Sequence, residues 1–346
     1  MLTALLAFAS CNKNEDAATP QASQVPTQFN VNIPNSLSPT VTNYARIAAR
    51  LEAEGDTALN GGEIYEGIRD YIAVGELGGR AATEIMKLAA VLLTFNVSSG
   101  TYSGDNDKRL KNLALTKNAS YLGKAYQYKL FIKDSLSGNT ALEAFWNLSP
   151  VDGIAIISPY NLDKDADNTK NSKALIRVDY SETKSNGYDK QMTVYITGLN
   201  TPIEGDFNNL KMFAGLKGNM LDVYGNSNHP NVNLFDMGNV NYAFRAKADT
   251  LLDISVAEVI LPPSTITSLT NIYELYSVKN VITNYAKAAY PYFATPEGAV
   301  YLNRYLKNTT APGYFVRNTG FVGAGTPPTI AGVSFSSELQ NLSSLN

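Results

Sequence analysis

Alternation with a period of two runs through residues 125–262 and limits what this chain can become. Tyr126, Tyr128, Leu130 and Ile132 alternate with Gln127, Lys129 and Lys133, and Ala174, Ile176 and Val178 with Arg177 and Asp179. Met192, Val194 and Ile196 alternate with Thr193, Tyr195 and Thr197. Leu142, Ala144 and Trp146, Ile154 and Ile156, Leu210 and Met212, Leu221 and Val223, Tyr242, Phe244 and Ala246, and Leu252, Ile254 and Val256 keep the same spacing. Side chains of a strand point to opposite faces in turn, so each segment buries one face and leaves the other polar. Asp134 to Asn139, Pro150 to Gly153 and Asn186-Gly187 supply turns between them. The expectation is roughly eight or nine antiparallel strands joined by short turns. A sheet that wide curls or closes.

The flanks carry a helical period. Val41, Tyr44, Ala45, Ala48 and Leu51 form one apolar stripe. Ile64, Tyr65, Ile68, Tyr71 and Ile72 form a second, and Ile85, Leu88, Ala89 and Leu92 a third. Gly75, Gly78 and Gly79 weaken the middle. The run Ala89 to Leu93 is apolar on all sides, which predicts a buried helix too short to span a bilayer. Residues 98–124 read as loop. Residues 264–308 return to helix, with Pro291 ending one segment and Thr295-Pro296-Glu297 starting another that carries Tyr301 and Tyr305 as packing residues. The expected fold class is α+β: a curved antiparallel β-meander, half-barrel or barrel-like, covered by N- and C-terminal helices. It forms a single domain over 38–320, followed by an irregular tail over 321–346. This element order resembles the half-barrel lipoprotein carriers, a resemblance that implies an apolar cavity between sheet and helices.

Composition removes several function classes. The net charge of −3 and the lack of a basic stripe argue against nucleic acid as a partner. One His and one Cys cannot build a zinc or haem site of the usual ligand type, and no disulfide can form within the chain.

That one cysteine, Cys11, closes the segment Met1-Leu-Thr-Ala-Leu-Leu-Ala-Phe-Ala-Ser-Cys11. An apolar run, small residues, a cysteine and then a polar stretch resemble the lipobox of bacterial lipoproteins. The resemblance implies a signal segment over 1–11, a lipidated Cys11 and attachment to the membrane through the N-terminal lipid. No Lys or Arg precedes the apolar run, so the natural start is expected further upstream. Asn12-Lys13-Asn14-Glu15-Asp16 is similar to the surface-export signal of Bacteroidota-type lipoproteins. The implied location is the outer membrane, at its periplasmic face or on the cell surface. Residues 12–37, rich in Ala, Thr, Pro, Gln, Ser and Asn, read as a flexible tether. Asp56-Thr57-Ala58, Asp134-Ser135-Leu136 and Asp249-Thr250-Leu251 fit the pattern that the same group O-glycosylates.

Few residues carry a signal for chemistry. Asp163, Asp165 and Asp167 alternate in a loop and form the candidate metal site, with Ca²⁺ the cation that all-oxygen ligands would take. Gly and Glu are missing at the positions an EF-hand requires, and Lys164, Lys170 and Lys173 oppose a cation, so a solvated loop is the competing reading. His229 lies in a turn with no activated nucleophile in view. Ser181-Glu-Thr-Lys184 has the spacing of penicillin-binding enzymes but runs into the Asn186-Gly187 hairpin. Glu143, Asp179, Asp222 and Glu258 are the strand carboxylates from which a glycoside hydrolase would be built. Tyr126, Tyr128, Tyr195, Tyr242, Tyr273, Tyr276 and Tyr285 are candidates to line a binding site. The functional expectation is a lipid-anchored exported binding or scaffolding protein holding an apolar or amphiphilic ligand between sheet and helices. A surface module for glycan or a partner protein, and a carboxylate-dependent glycoside hydrolase, are the alternatives.

Overall fold

A computed structural model describes residues 24–38, 61–105, 107–163, 173–200, 206–227, 242–262, 275–306, 313–316 and 320–324. The period-two segments form strands as their patterning requires. Helix α1 (Gly61–Thr94) is followed by β1 (Ser99–Ser103), β2 (Leu110–Tyr121), β3 (Lys124–Asp134), β4 (Thr140–Leu148) and β5 (Val151–Ile157). A short helix α2 (Pro159–Leu162) then leads to β6 (Leu175–Ser181) and β7 (Lys190–Asn200). After these come β8 (Asp206–Lys217), β9 (Met220–Ser227), β10 (Tyr242–Asp249) and β11 (Ile254–Ile260). Helix α3 (Val278–Ala289), a 3₁₀ turn (Pro291–Ala294), helix α4 (Pro296–Tyr305) and the hairpin β12 (Gly313–Val316) and β13 (Gly320–Ala324) complete the order.

The chain divides into two compact units, one of residues 1–31 and 77–199 and the other of residues 32–76 and 200–346. In the first, β1 to β7 pair in sequence order, each antiparallel to the next. In the second, β8 to β13 do the same. No pairing among the described residues closes the meander into a barrel. The expected meander over 125–262 is present as the nine strands β3 to β11.

Packing explains the glycines of α1, which is one continuous helix. A Cβ on Gly78 would lie 2.8 Å from Val194 and 3.2 Å from Ile176, and one on Gly79 would lie 2.9 Å from the Met192 sulfur. In the second unit a Cβ on Gly75 would meet the Met212 sulfur at 2.5 Å. The three glycines cost helix propensity but let the helix backbone come down onto the strands. Near its end α1 buries one face only. Ile85, Met86, Ala89 and Leu92 are buried, whereas Val91 within the apolar run is exposed, so the expectation that this end of the helix is buried is corrected. No helix among the described residues is long and apolar enough to cross a membrane.

Two further expectations are corrected. Residues 98–124, read as loop, contain β1 and β2; β2 buries Lys111, Leu113 and Leu115 at alternate positions. The inward lysine hid the alternation. Within the stretch read as a tether, Val25, Phe29, Val31, Ile33 and Leu37 are buried. In the first unit Gln24 accepts a hydrogen bond from the Trp146 indole at 3.1 Å, and the Phe29 ring lies 5.3 Å from Tyr180. The helix expected before Asn60 lies outside the described residues. Pro291 and Thr295 act as read: α3 stops at Ala289, and the Thr295 hydroxyl accepts from the Gly298 N–H to cap α4.

Candidate functional site

The face of the first unit's sheet opposite to Leu142, Ala144 and Trp146 carries a dense array of rings and ion pairs. Register assembles it in two adjoining rows. Lys129, Phe145, Ile154, Asp179 and Thr193 stand opposite one another across β3 to β7. Phe131, Glu143, Ile156, Arg177 and Tyr195 form the next row. Lys129 donates to Glu143 at 2.7 Å, and its ammonium sits 5.0 Å from the centroids of both Phe131 and Phe145. Arg177 grips Asp179 with two parallel bonds of 2.7 and 2.9 Å. Its guanidinium lies 5.9 Å over Tyr121 and 5.6 Å over Tyr195. Tyr121 and Tyr126 close over Phe145 at 5.0 and 5.6 Å, and Lys124 bridges Asp152 while lying 5.2 Å over Tyr126.

These groups sense one another. Partial burial raises the Asp179 carboxyl above the usual carboxylate range; the Arg177 pair opposes the rise and the nearby Asp152 charge adds to it. Burial likewise raises the Tyr126 hydroxyl, with Lys124 and Arg177 pulling down and Asp152 and Asp179 pushing up. The Asp179 side chain keeps 31% of its exposure, so a solute can still reach it. The cations Lys124, Lys129 and Arg177 match the anions Asp152, Glu143 and Asp179 one for one within this array.

The second unit repeats this pattern on a smaller scale. Arg245 donates to Glu258 at 2.6 Å, Lys247 faces Asp222 at 3.5 Å, and Phe213 stacks on Tyr224 at 4.6 Å. All four carboxylates read as hydrolase candidates are therefore held by basic partners. Glu143 and Asp179 share one face of the first unit, while Asp222 and Glu258 lie in the second. A carboxylate clamped by a guanidinium fork is poorly placed to exchange a proton with substrate. Tyr126 and Tyr195 join the aromatic face as candidates; Tyr128 instead stacks on Trp146 at 5.4 Å. Tyr121 and Asp152 are members that sequence reasoning missed, because only register brings them to Phe145 and Asp179.

The remaining candidates are dispersed. Asp163 accepts from the Asp107 N–H at 3.2 Å, and Asp165 and Asp167 lie outside the described residues. No group of three His, Cys, Asp or Glu side chains suited to a metal ion exists among the described residues. Ser181 bonds Thr183 while Lys184 pairs with Asp189 at 3.3 Å, so the Ser-x-x-Lys spacing builds no nucleophile. Cys11, His229, Tyr273 and Asp56 to Ala58 lie outside the described residues. The other two Asp-(Ser/Thr)-Leu triplets occupy equivalent turns. Asp134 and Asp249 each accept from the N–H two residues on, and the Ser135 and Thr250 N–H groups bond Leu110 and Asn219 carbonyls. Leu136 and Leu251 are exposed.

Away from the aromatic face lies a buried ionic knot. Lys111 donates to Asp107 at 2.8 Å and to Asp134 at 2.6 Å, all three side chains being buried. Burial alone would raise the Asp134 carboxyl. The bonds from Lys111 and from the Ser137 N–H and hydroxyl outweigh it and hold the carboxyl well below the usual carboxylate range. Every member is spent on another member, which marks the knot as structural. Comparison of the chain with protein-family models, with curated proteins and with solved structures returns no match.

Proposed function

We propose that this chain is a lipid-anchored, exported binding protein that holds neutral glycans on the aromatic, ion-paired face of its first unit. The observation that carries the reading is the union of Arg177, Asp179, Tyr121 and Tyr195 on one accessible patch of sheet. Sugar hydroxyls both donate and accept, and a fixed guanidinium–carboxylate pair offers both functions in one plane. The C–H faces of a pyranose suit the half-exposed tyrosine rings. Balanced charge favours an uncharged polyol over an anion or a cation. The exported, anchored setting rests on the lipobox-like segment ending at Cys11 and on the absence of any cysteine elsewhere in the chain. We read the meander as a curved half-barrel with helical cover, supported by the contacts of α1 with strands of each unit.

An amphiphile lodged between helix and sheet has less support. At Gly75, Gly78 and Gly79 the helix approaches the strands too closely to admit an acyl chain. The full-length Cys11→Ser protein on an array of neutral and acidic glycans tests the proposal. Retention of neutral glycans, reduced by Tyr195→Ala, is expected. Binding confined to lipids, or glycan binding indifferent to Tyr121, Arg177 and Tyr195, would overturn it.

A further inference from the structure

The second unit has an aromatic surface of a different kind on the 3₁₀ turn and α4. The Phe293 ring lies 6.1 Å from Tyr290, 5.4 Å from Tyr292 and 6.0 Å from Tyr301. Tyr301 in turn lies 6.4 Å from Tyr305, their planes only 9° apart. The sequence reads Tyr301 and Tyr305 as packing residues. Instead Tyr290, Tyr292 and Tyr301 are 38%, 55% and 46% exposed, with Phe293 and Tyr305 half-buried. Burial on this helix is left to Leu302 and Gly298.

We propose that this strip of rings is a separate glycan contact within the second unit, with a neutral polysaccharide strand as its occupant. Three features select that occupant. The strip is narrow: with about 200 Å² per aromatic side chain, these exposures leave roughly 400 Å² of ring surface. A stable protein partner needs about 800 Å² on each side, so the strip is too small to serve as a dimer interface. Four of the five rings carry a hydroxyl, so the strip is wet at its rim and apolar at its faces, as a sugar chain is. The charges in the helix turns that flank the strip among the described residues, Lys287 in the last turn of α3 and Glu297 and Arg304 in the first and last turns of α4, are of mixed sign and favour neither an anionic nor a cationic ligand.

The inference rests on the glycan reading of the first unit, and the test keeps the two apart. The full-length Cys11→Ser protein is run through native gels containing hydroxyethyl cellulose, xylan, mannan or glycogen. Tyr292→Ala and Tyr301→Ala are each expected to weaken retention roughly three- to tenfold, and Tyr301→Phe to preserve it. Tyr195→Ala, in the first unit, reports on the first site in the same gels. If Tyr195→Ala abolishes retention and the Tyr292 and Tyr301 variants match the parent, the strip is no contact. If none of the four polysaccharides retards the parent protein, both readings fall. Sedimentation of the parent and of Tyr301→Ala decides between sugar and self-association: a ring-dependent dimer would overturn the proposal. An unchanged melting curve for each variant confirms that folding is intact. A variant that melts early is replaced by Tyr292→Leu or Tyr301→Leu, which keep apolar bulk but remove the ring.

Discussion

Replacing Lys111 by Met probes the knot on which β2 depends. The ammonium is buried and bonds two buried carboxylates, Asp107 at 2.8 Å and Asp134 at 2.6 Å. Met preserves volume but removes the charge, and leaves Asp134 with the half-exposed Arg109 at 3.8 Å as its other cationic neighbour among the described residues. Stripping one partner from a buried pair costs about 3–5 kcal/mol, and that loss is expected at pH 7. The pH dependence should also reverse. In the parent, the Asp134 pKa is depressed on folding, so its stabilisation is complete above the unfolded value of about 3.9 and fades as pH falls through the lower folded value. In Lys111→Met the buried carboxyls should favour the protonated form, so the deficit should shrink as pH falls from 7 towards 4. Asp134→Asn in the Lys111→Met background keeps the acceptor for Ser137 and removes the charge, recovering roughly 1–2 kcal/mol. Urea unfolding followed by Trp146 fluorescence measures this, because the chain's single tryptophan is buried in the same unit as the knot. A loss below about 1 kcal/mol with an unchanged pH slope would refute the account.

Other substitutions test the packing and the anchor. Gly78→Ala gains roughly 1 kcal/mol of helix propensity but pushes a methyl against branched Val194 and Ile176, and should lose about 1–2 kcal/mol net by urea titration. Gly75→Ala meets the tip of flexible Met212 and should cost less; the reverse order would contradict the close-approach argument. Phe29→Ala removes a fully buried ring from the first unit and should cost about 3–5 kcal/mol, whereas a residue in a tether would cost nothing. Cys11→Ser should move the protein from the membrane fraction to the soluble exported fraction; persistence in carbonate-washed membranes would remove the lipid anchor from the reading.

The meander was legible because Met192, Val194 and Ile196, and segments like them, put apolar residues at every second position. Strand β2 was not, since Lys111 takes a core position and pays for it with Asp107 and Asp134, which lie four residues before and 23 residues after it. Val25, Phe29, Val31, Ile33 and Leu37 are sparse among polar residues, and only tertiary contacts show that they are core. The candidate site was half visible. Asp179, Glu143, Tyr126 and Tyr195 stand out by residue type, but the row that sets Arg177 beside Tyr195 is a property of strand register. Composition cannot reveal that the carboxylates are clamped. Tyr301 and Tyr305 have the spacing of a packing pair and stack on each other at the surface instead.

Calorimetric titration of the full-length Cys11→Ser protein tests the central claim most directly. Its ligand is the neutral glycan that the array retains best, measured beside Tyr121→Ala, Tyr195→Ala and Arg177→Leu. The account predicts saturable binding weakened roughly three- to tenfold by each tyrosine change, and more by Arg177→Leu, which leaves Asp179 half-buried without its partner. Equal affinities across all four proteins, each shown to melt as the parent does, would contradict the assignment of this face as the binding site.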